Sequence, residues 1–216
     1  MSSLCYTQAM DEKQKNIIEV YTEIAEPYDK EYGNNIKYRA EIDKFLSMLD
    51  GKKILDIGCG AGVDVAYLIE KAFDPLGVDL TPKFLEMARK RVPNGKFEQA
   101  DITDLQFADN TFDGIVSNCS LHHVPSESLD KTFRGLNRVL KPNGKLLVFI
   151  PNGKGEGFVN DPFDPSKKIF VNFISAEKLT QLLNQNNFKK LSYKFLKSEN
   201  ETDFADGEIS ILARKC

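Results

Sequence analysis

Histidine, paired cysteines, long apolar runs and surplus positive charge are all scarce in this 216-residue chain. Each shortage excludes something. The only two histidines, His122 and His123, are adjacent, and no HxxxH or carboxylate-rich spacing accompanies them, so no dedicated metal site is expected. The four cysteines, Cys5, Cys59, Cys119 and Cys216, are widely separated with no CxxC pair, which argues against a disulfide framework and against a zinc site. No segment approaches the roughly 18 uninterrupted apolar residues of a membrane span, and the N-terminal MSSLCYTQAMDEKQK has no apolar core of signal-peptide length. A cytoplasmic protein without a membrane partner is expected. Acidic residues (32) outnumber basic ones (29), for a formal charge of -3, so no whole-chain positive field exists to attract nucleic acid.

What is present is a globular composition, 41% hydrophobic and 28% charged, without internal repeats or low-complexity tracts. The length suits a single domain spanning 1–216. Ile17, Ile18, Tyr21, Ile24, Ala25 and Tyr28 recur at helical spacing over 12–29, with Pro27 expected to kink or end that helix. Ile42, Phe45, Leu46 and Leu49 suggest a second helix, closed by Asp50-Gly51. From Lys53 the pattern changes to short apolar runs alternating with helical ones. Strands are predicted at 53–57, 76–79, 96–101, 112–117 and 145–150, with helices at 63–72, 82–92, from Ser126 to a stop at Pro142-Asn143-Gly144, and at 175–186. Thr81 and Ser126 are expected as helix caps. Two closing strands are predicted near 188–197 and 207–214. Alternation of this kind predicts a doubly wound α/β sheet. The stretch 151–171, rich in Gly, Pro, Asn and Asp, reads as a loop about 20 residues long.

The chemistry concentrates where the first strand ends. Asp56-Ile57-Gly58-Cys59-Gly60-Ala61-Gly62 places three glycines at alternate positions there, where open α/β sheets bind ligands. A dinucleotide fingerprint would need glycine at 63, and Val63 stands there instead. Asp56, two residues before the first glycine, suits a positively charged ligand better than a pyrophosphate. Asp79 ends the second strand 21 residues after Gly58, near the spacing at which a carboxylate accepts from both ribose hydroxyls. Together these describe a cationic nucleoside without a phosphate chain, which S-adenosylmethionine fits.

The segments ILDIGCGAG (54–62), GVDL (77–80), QADI (99–102), FDGIVSNCSLHHV (112–124) and RVLKPNGKLLVFIP (138–151) resemble, in order and spacing, the motifs of class I S-adenosylmethionine-dependent methyltransferases. That resemblance covers about residues 50–151. It implies a Rossmann-like sheet of seven strands, mostly parallel with the last antiparallel. The chain then divides into an N-terminal helical lid (1–50), a cofactor-binding core (51–151), a long substrate-side loop (152–173) and a closing helix and strand pair (174–216). It further implies that Asp56 and the loop carrying Gly58, Cys59, Gly60 and Gly62 hold the methionine moiety and that Asp79 holds the ribose. Leu80 would flank the adenine, Asp101 would accept from its amino group and the Ile102 backbone would meet the ring edge, while Asn118 and Ser120 would line the cleft beside the sulfonium. The product would be S-adenosylhomocysteine.

Every such residue has a plainer reading: Asp101 could cap a turn at Thr103, and Cys59 is read as a tolerated small residue rather than a nucleophile. His122 and His123 follow the fourth strand on the acceptor side, and either is a candidate general base worth 10²- to 10⁴-fold by the general range, with His122 favoured. Tyr21, Tyr28 and Tyr32 are candidates for a lid, and Phe158, with Phe163 and Phe170, for an apolar acceptor pocket; packing is the rival for all. Methyl transfer is an in-line displacement in which alignment alone can supply on the order of 7–11 kcal/mol, so few acid-base residues are needed. A small-molecule methyltransferase is the leading expectation. A cofactor-binding regulator without transferase activity, and a nicotinamide-dependent oxidoreductase, remain alternatives. The acceptor and the oligomeric state are not inferable.

Overall fold

A computed structural model of the chain describes residues 10–34, 37–202 and 205–216; Cys5 and the start of the expected lid lie outside them. Among the described residues, six α-helices and nine strands follow one another as α1 (Glu12–Tyr32), α2 (Arg39–Leu46), β1 (Lys53–Ile57), α3 (Val63–Glu70), β2 (Asp74–Asp79), α4 (Pro82–Arg91), β3 (Lys96–Gln99), β4 (Phe112–Asn118), α5 (Leu129–Val139), β5 (Leu140–Gly153), β6 (Gly155–Asn160), β7 (Lys168–Phe173), α6 (Ala176–Gln185), β8 (Phe188–Thr202) and β9 (Ala205–Lys215). Seven strands form one sheet in the order β3-β2-β1-β4-β5-β9-β8. The first five run parallel, and β9 inserts antiparallel between β5 and β8.

Burial explains why β1 reads as a continuous apolar run: both of its faces are covered. Leu55 and Ile57 join Ile115, Val148, Ile209 and Ile211 against Phe133 and Leu136 of α5 and Leu179 and Leu183 of α6. Ile54 faces the other way, with Val116, Leu147 and Leu212, against Ile42 and Phe45 of α2 and Leu68 of α3. Parallel strands covered on both sides need apolar residues at every position, which abolishes the two-residue alternation. The exception in β1 is Asp56, only 1% exposed. A carboxylate on a covered face costs free energy unless it is used.

Several predicted boundaries shift. Pro27 does not end α1, which continues to Tyr32; the proline lies on the exposed side, so the Glu23 carbonyl it leaves unpaired can reach water. α5 begins at Leu129 rather than at Ser126, which opens a separate 3-10 turn, Ser126–Ser128, and makes no capping bond through its side chain. Thr81 also fails to cap with its side chain; its backbone N–H donates instead to Asp79 Oδ1 at 2.8 Å. α5 stops at Val139, before Pro142-Asn143-Gly144. Those residues instead bulge out of β5, whose pairing with β4 jumps from Phe112–Leu140 to Gly114–Lys145.

The largest departure is at 151–171. The expected long loop is the end of β5 followed by an antiparallel hairpin of β6 and β7, with Phe158 opposite Phe170. The hairpin is held by α1, whose Ile17, Val20 and Ile24 pack on Ile169, Phe170 and Val171. Asn16 completes the join: its Oδ1 accepts from Phe170 N at 3.0 Å and its Nδ2 donates to Lys168 O at 2.8 Å.

At its other side α1 meets α4 through Ala25 and Phe84. Arg91 fastens that contact, donating to Ala61 O at 2.6 Å and to both Asp29 oxygens at 2.8 and 3.0 Å. Arg91→Met is expected to lower stability by about 1–2 kcal/mol, because it strands a largely covered carbonyl and an ion pair exposed by only about a quarter. Urea unfolding with an unchanged m-value would check this, and an unchanged midpoint would contradict it.

Candidate functional site

The C-terminal ends of β1, β2, β3 and β4 lie side by side because their registers align Ile57 with Val78 and Ser117, and Asp79 with Gln99. The chain must leave β1 there without blocking the cleft above. Gly58 and Gly60 adopt positive φ (69° and 50°), a region open to glycine at no steric cost. A Cβ on Gly58 would stand 2.2 Å from Ser120 Cβ, whereas one on Gly60 would meet nothing within 4 Å, since it borders the open cleft. Gly58 and Cys59 both donate to Val78 O, at 2.8 and 3.0 Å, which pins the loop to β2.

Asp79 organises the loop from below. Its Oδ2 accepts from Gly60 N at 2.9 Å and its Oδ1 from Thr81 N at 2.8 Å. Burial holds its pKa above the usual carboxylate range against those two backbone donors. Asp56 lies deeper. Its Oδ2 is buried without a hydrogen-bond partner among the described residues, and desolvation followed by repulsion from Asp64 and Asp79 pushes its pKa well up. Asp64 is raised by burial too, although it accepts from Asn118 Nδ2 at 2.9 Å. Of these three carboxylates only Asp79 borders the cleft; Asp56 and Asp64 lie behind it, and burial favours the protonated form of each.

A cleft opens here, bordered by Gly58, Gly60, Asp79, Leu80, Asp101 and Ile102, and by Asn118, Ser120, Tyr21, Tyr28 and His123. Eleven of the residues singled out from sequence therefore meet in one place. Asp101 lies between two donors: Thr103 N reaches Oδ1 at 2.7 Å, as the turn-capping alternative required, and Gln14 Nε2 reaches Oδ2 at 2.6 Å.

The remaining expected residues lie elsewhere. Cys59 turns its thiol into an apolar cluster with Val65, Leu85, Ala88 and Phe97, where burial raises its pKa. Gly62 packs against Ala88 and Phe97 beneath α4. Tyr32 is 41% exposed and stacks with Tyr28 and Phe163 at the rim. Phe158 is half exposed and does not border the cleft; it shares a face of the hairpin with its cross-strand partner Phe170, which is buried, their ring centroids 5.7 Å apart.

The preference for His122 is reversed. His122 is buried outside the cleft, its Nδ1 lacks a partner among the described residues, and burial carries its pKa well down. His123 is the one that borders the cleft, and both its nitrogens are engaged, Nδ1 with Phe170 O at 2.8 Å and Nε2 with Tyr21 Oη at 2.8 Å. Its pKa is lowered by burial to about 4. Sequence reading passed over Gln14, Asp64 and Phe84. Only Gln14 left a local signal, as the fourth residue of the capping box opened by Asp11.

A glycine loop at a β1 end, a carboxylate at the β2 end and an antiparallel insertion beside β5 define a nucleoside-binding doubly wound enzyme. Residues 54–144 match the methyltransferase domain family. An uncharacterised methyltransferase of Synechocystis sp. is 30% identical over 139 residues, and the aligned part spans 64% of this chain and 64% of that relative's length. A ubiquinone/menaquinone biosynthesis C-methyltransferase of Haemophilus ducreyi is 31% identical over 191 residues, covering 82% of this chain and 70% of that one. The 1,6-didemethyltoxoflavin-N1-methyltransferase of Burkholderia thailandensis, crystallised with 1,6-didemethyltoxoflavin and S-adenosylhomocysteine, shares the fold with a TM-score of 0.72. It is 18% identical, over 93% of this chain and 88% of that one. The chain belongs to the class I S-adenosylmethionine-dependent methyltransferases, and S-adenosylmethionine is its cofactor.

The residues present suit that cofactor. An orphaned buried carboxylate oxygen on Asp56 calls for positive charge, Gly60 leaves backbone room, and Asp79 keeps lone pairs beyond those used by the loop.

Proposed function

We propose that this protein methylates a small molecule, with S-adenosylmethionine held by Asp56, the Gly58–Gly60 turn, Asp79, Leu80, Asp101 and Ile102. The bound cofactor supplies an electrophilic methyl group on a cationic sulfur. The chain's own part is to bind, to align and to keep water out. The observation that carries this reading is the joint anchoring of Gly60 and Thr81 by Asp79 beside a cleft that combines apolar and aromatic side chains, such as Leu80, Phe84 and Tyr28, with polar ones, such as Asp101 and Asn118.

A small acceptor is supported by how the cleft is covered. α1 lies across it, joined to the hairpin through Asn16, to the rim through Gln14 and Asp101, and to His123 through Tyr21. We assign α1 the role of a lid, with Tyr21 and Tyr28 on its inner side, where Phe84 packs against both rings at 5.5 Å. Such a cover suits a nucleoside and a compact second molecule. Among the described residues, no helix is long and apolar enough to cross a membrane, and no cluster of three metal-ligating side chains is found.

The test is calorimetric titration with S-adenosylmethionine, S-adenosylhomocysteine and NADH. Saturable binding of the first two with silence from NADH is expected. NADH binding in their place would overturn the assignment of the site.

A further inference from the structure

The direction of each hydrogen bond around the cleft limits what can sit there. A carbonyl only accepts, so the contact of His123 Nδ1 with Phe170 O requires the proton on Nδ1. Nε2 is then an acceptor, and Tyr21 must donate its hydroxyl proton to it. What Tyr21 offers the cleft is therefore an oxygen lone pair. Asn118 commits one N–H of its Nδ2 to Asp64 at 2.9 Å, and its Oδ1 remains an acceptor. Ser120 gives its proton to Ile57 O at 2.7 Å, and so accepts from Ser117 and keeps its remaining lone pair. Gln14 spends one of its two amide N–H groups on Asp101. Cys119 retains its proton, its thiol pushed up by burial to about 12, and a thiol is a weak donor. Among the described residues bordering the cleft there is no lysine or arginine.

We infer, building on the methyltransferase reading above, that the methyl acceptor is a neutral amine whose N–H groups are received by Tyr21 and Asn118, on an apolar or aromatic body. Two physical arguments select this class. An anionic acceptor, whether carboxylate or phenolate, would be buried near Asp79 and Asp101 with no lysine or arginine among the described bordering residues, so it would lose its only cation when the sulfonium becomes a neutral thioether. A neutral amine meets the opposite situation. Its nitrogen lone pair forms the new N–C bond while the C–S bonding pair returns to sulfur, so the positive charge moves from sulfur to nitrogen and never leaves the field of the carboxylates. The surplus N–H proton of the resulting ammonium passes to bulk water after release. No general base is needed for the transfer, in keeping with a histidine whose two nitrogens are already taken. His123 acts here as a positioning residue: it fixes which way the Tyr21 hydroxyl points.

The test uses protein saturated with S-adenosylhomocysteine, titrated calorimetrically with benzylamine, N-methylbenzylamine, phenol, benzoate and 1,4-naphthalenediol, followed by mass analysis of the same compounds after incubation with S-adenosylmethionine. Expected are saturable binding of the amines, at least about 100-fold weaker binding of benzoate, and methyl groups found on nitrogen. Tyr21→Phe, which removes the receiving oxygen, should raise the dissociation constant of the amines about tenfold without strengthening or weakening benzoate. Preferential binding or methylation of phenol, benzoate or the diol overturns the inference, as does silence of both amines on protein that has bound S-adenosylhomocysteine. Failure of S-adenosylhomocysteine itself to bind falls on the cofactor assignment and removes this inference with it.

Discussion

Asp79→Asn is expected to weaken S-adenosylmethionine binding by at least about 100-fold, close to 2.7 kcal/mol. A carboxylate offers about four lone-pair directions, and two of Asp79's are spent on Gly60 N and Thr81 N. The other two are what a pair of ribose hydroxyls would use. An asparagine has one oxygen, and its NH2 would be forced against one of the two backbone N–H groups, so the substitution both removes acceptors and turns a bond into a donor-donor clash. Hydrogen bonds to a charged group are worth roughly 1.5–3 kcal/mol each, so losing one to the ribose and disturbing the loop accounts for the expected size. The measurement is calorimetric affinity for cofactor and product, with circular dichroism to establish that the variant folds. An affinity within threefold of the wild type would remove Asp79 from the ribose site.

Whether such a residue can be found without a structure depends on how local its signal is. Asp79 and the glycine turn were legible because strand, turn and carboxylate follow each other within 24 residues, and β1 announces itself by burial on both faces. The seven-strand sheet and its antiparallel last strand came through the family resemblance more than from periodicity. The β6–β7 hairpin was not legible. Its Gly, Pro and Asn content imitates a loop, and what holds it as a sheet is α1, about 150 residues earlier, through Asn16 and the Ile17, Val20 and Ile24 face. The same distance hides Asp64, whose partner Asn118 is 54 positions away. Adjacent histidines on a short 3-10 turn, Leu121–His123, carry no periodic cue to tell which one faces the cleft; it is His123 that borders it. Local chemistry survives in sequence, whereas long-range pairing does not.

Asp56→Asn should separate the two halves of the site's energetics by moving stability and affinity in opposite directions. The expected outcome is a gain in ligand-free stability of about 1–2 kcal/mol at neutral pH, with cofactor affinity lowered about tenfold. In the ligand-free protein the Asp56 carboxylate is buried, one oxygen lacks a partner among the described residues, and Asp64 and Asp79 repel it. An amide of the same shape removes the charge and eases both neighbours. For a chain of this length each kcal/mol shifts the melting temperature by roughly 2–4 °C. The pH dependence identifies the cause. A carboxyl whose folded pKa is raised above its unfolded value near 3.9 contributes its full stability below that value and loses it as pH rises through the folded pKa. The variant's advantage over the wild type should therefore widen toward neutral pH and close as pH falls toward about 4. A pH-independent gain would mean that packing and not charge had changed, and a variant less stable at neutral pH would mean that Asp56 supports the strand it sits on. With the expected pattern, Asp56 is a charge kept at a cost to the empty fold because a cationic ligand repays it, and saturating S-adenosylmethionine should then stabilise the wild type more than the variant.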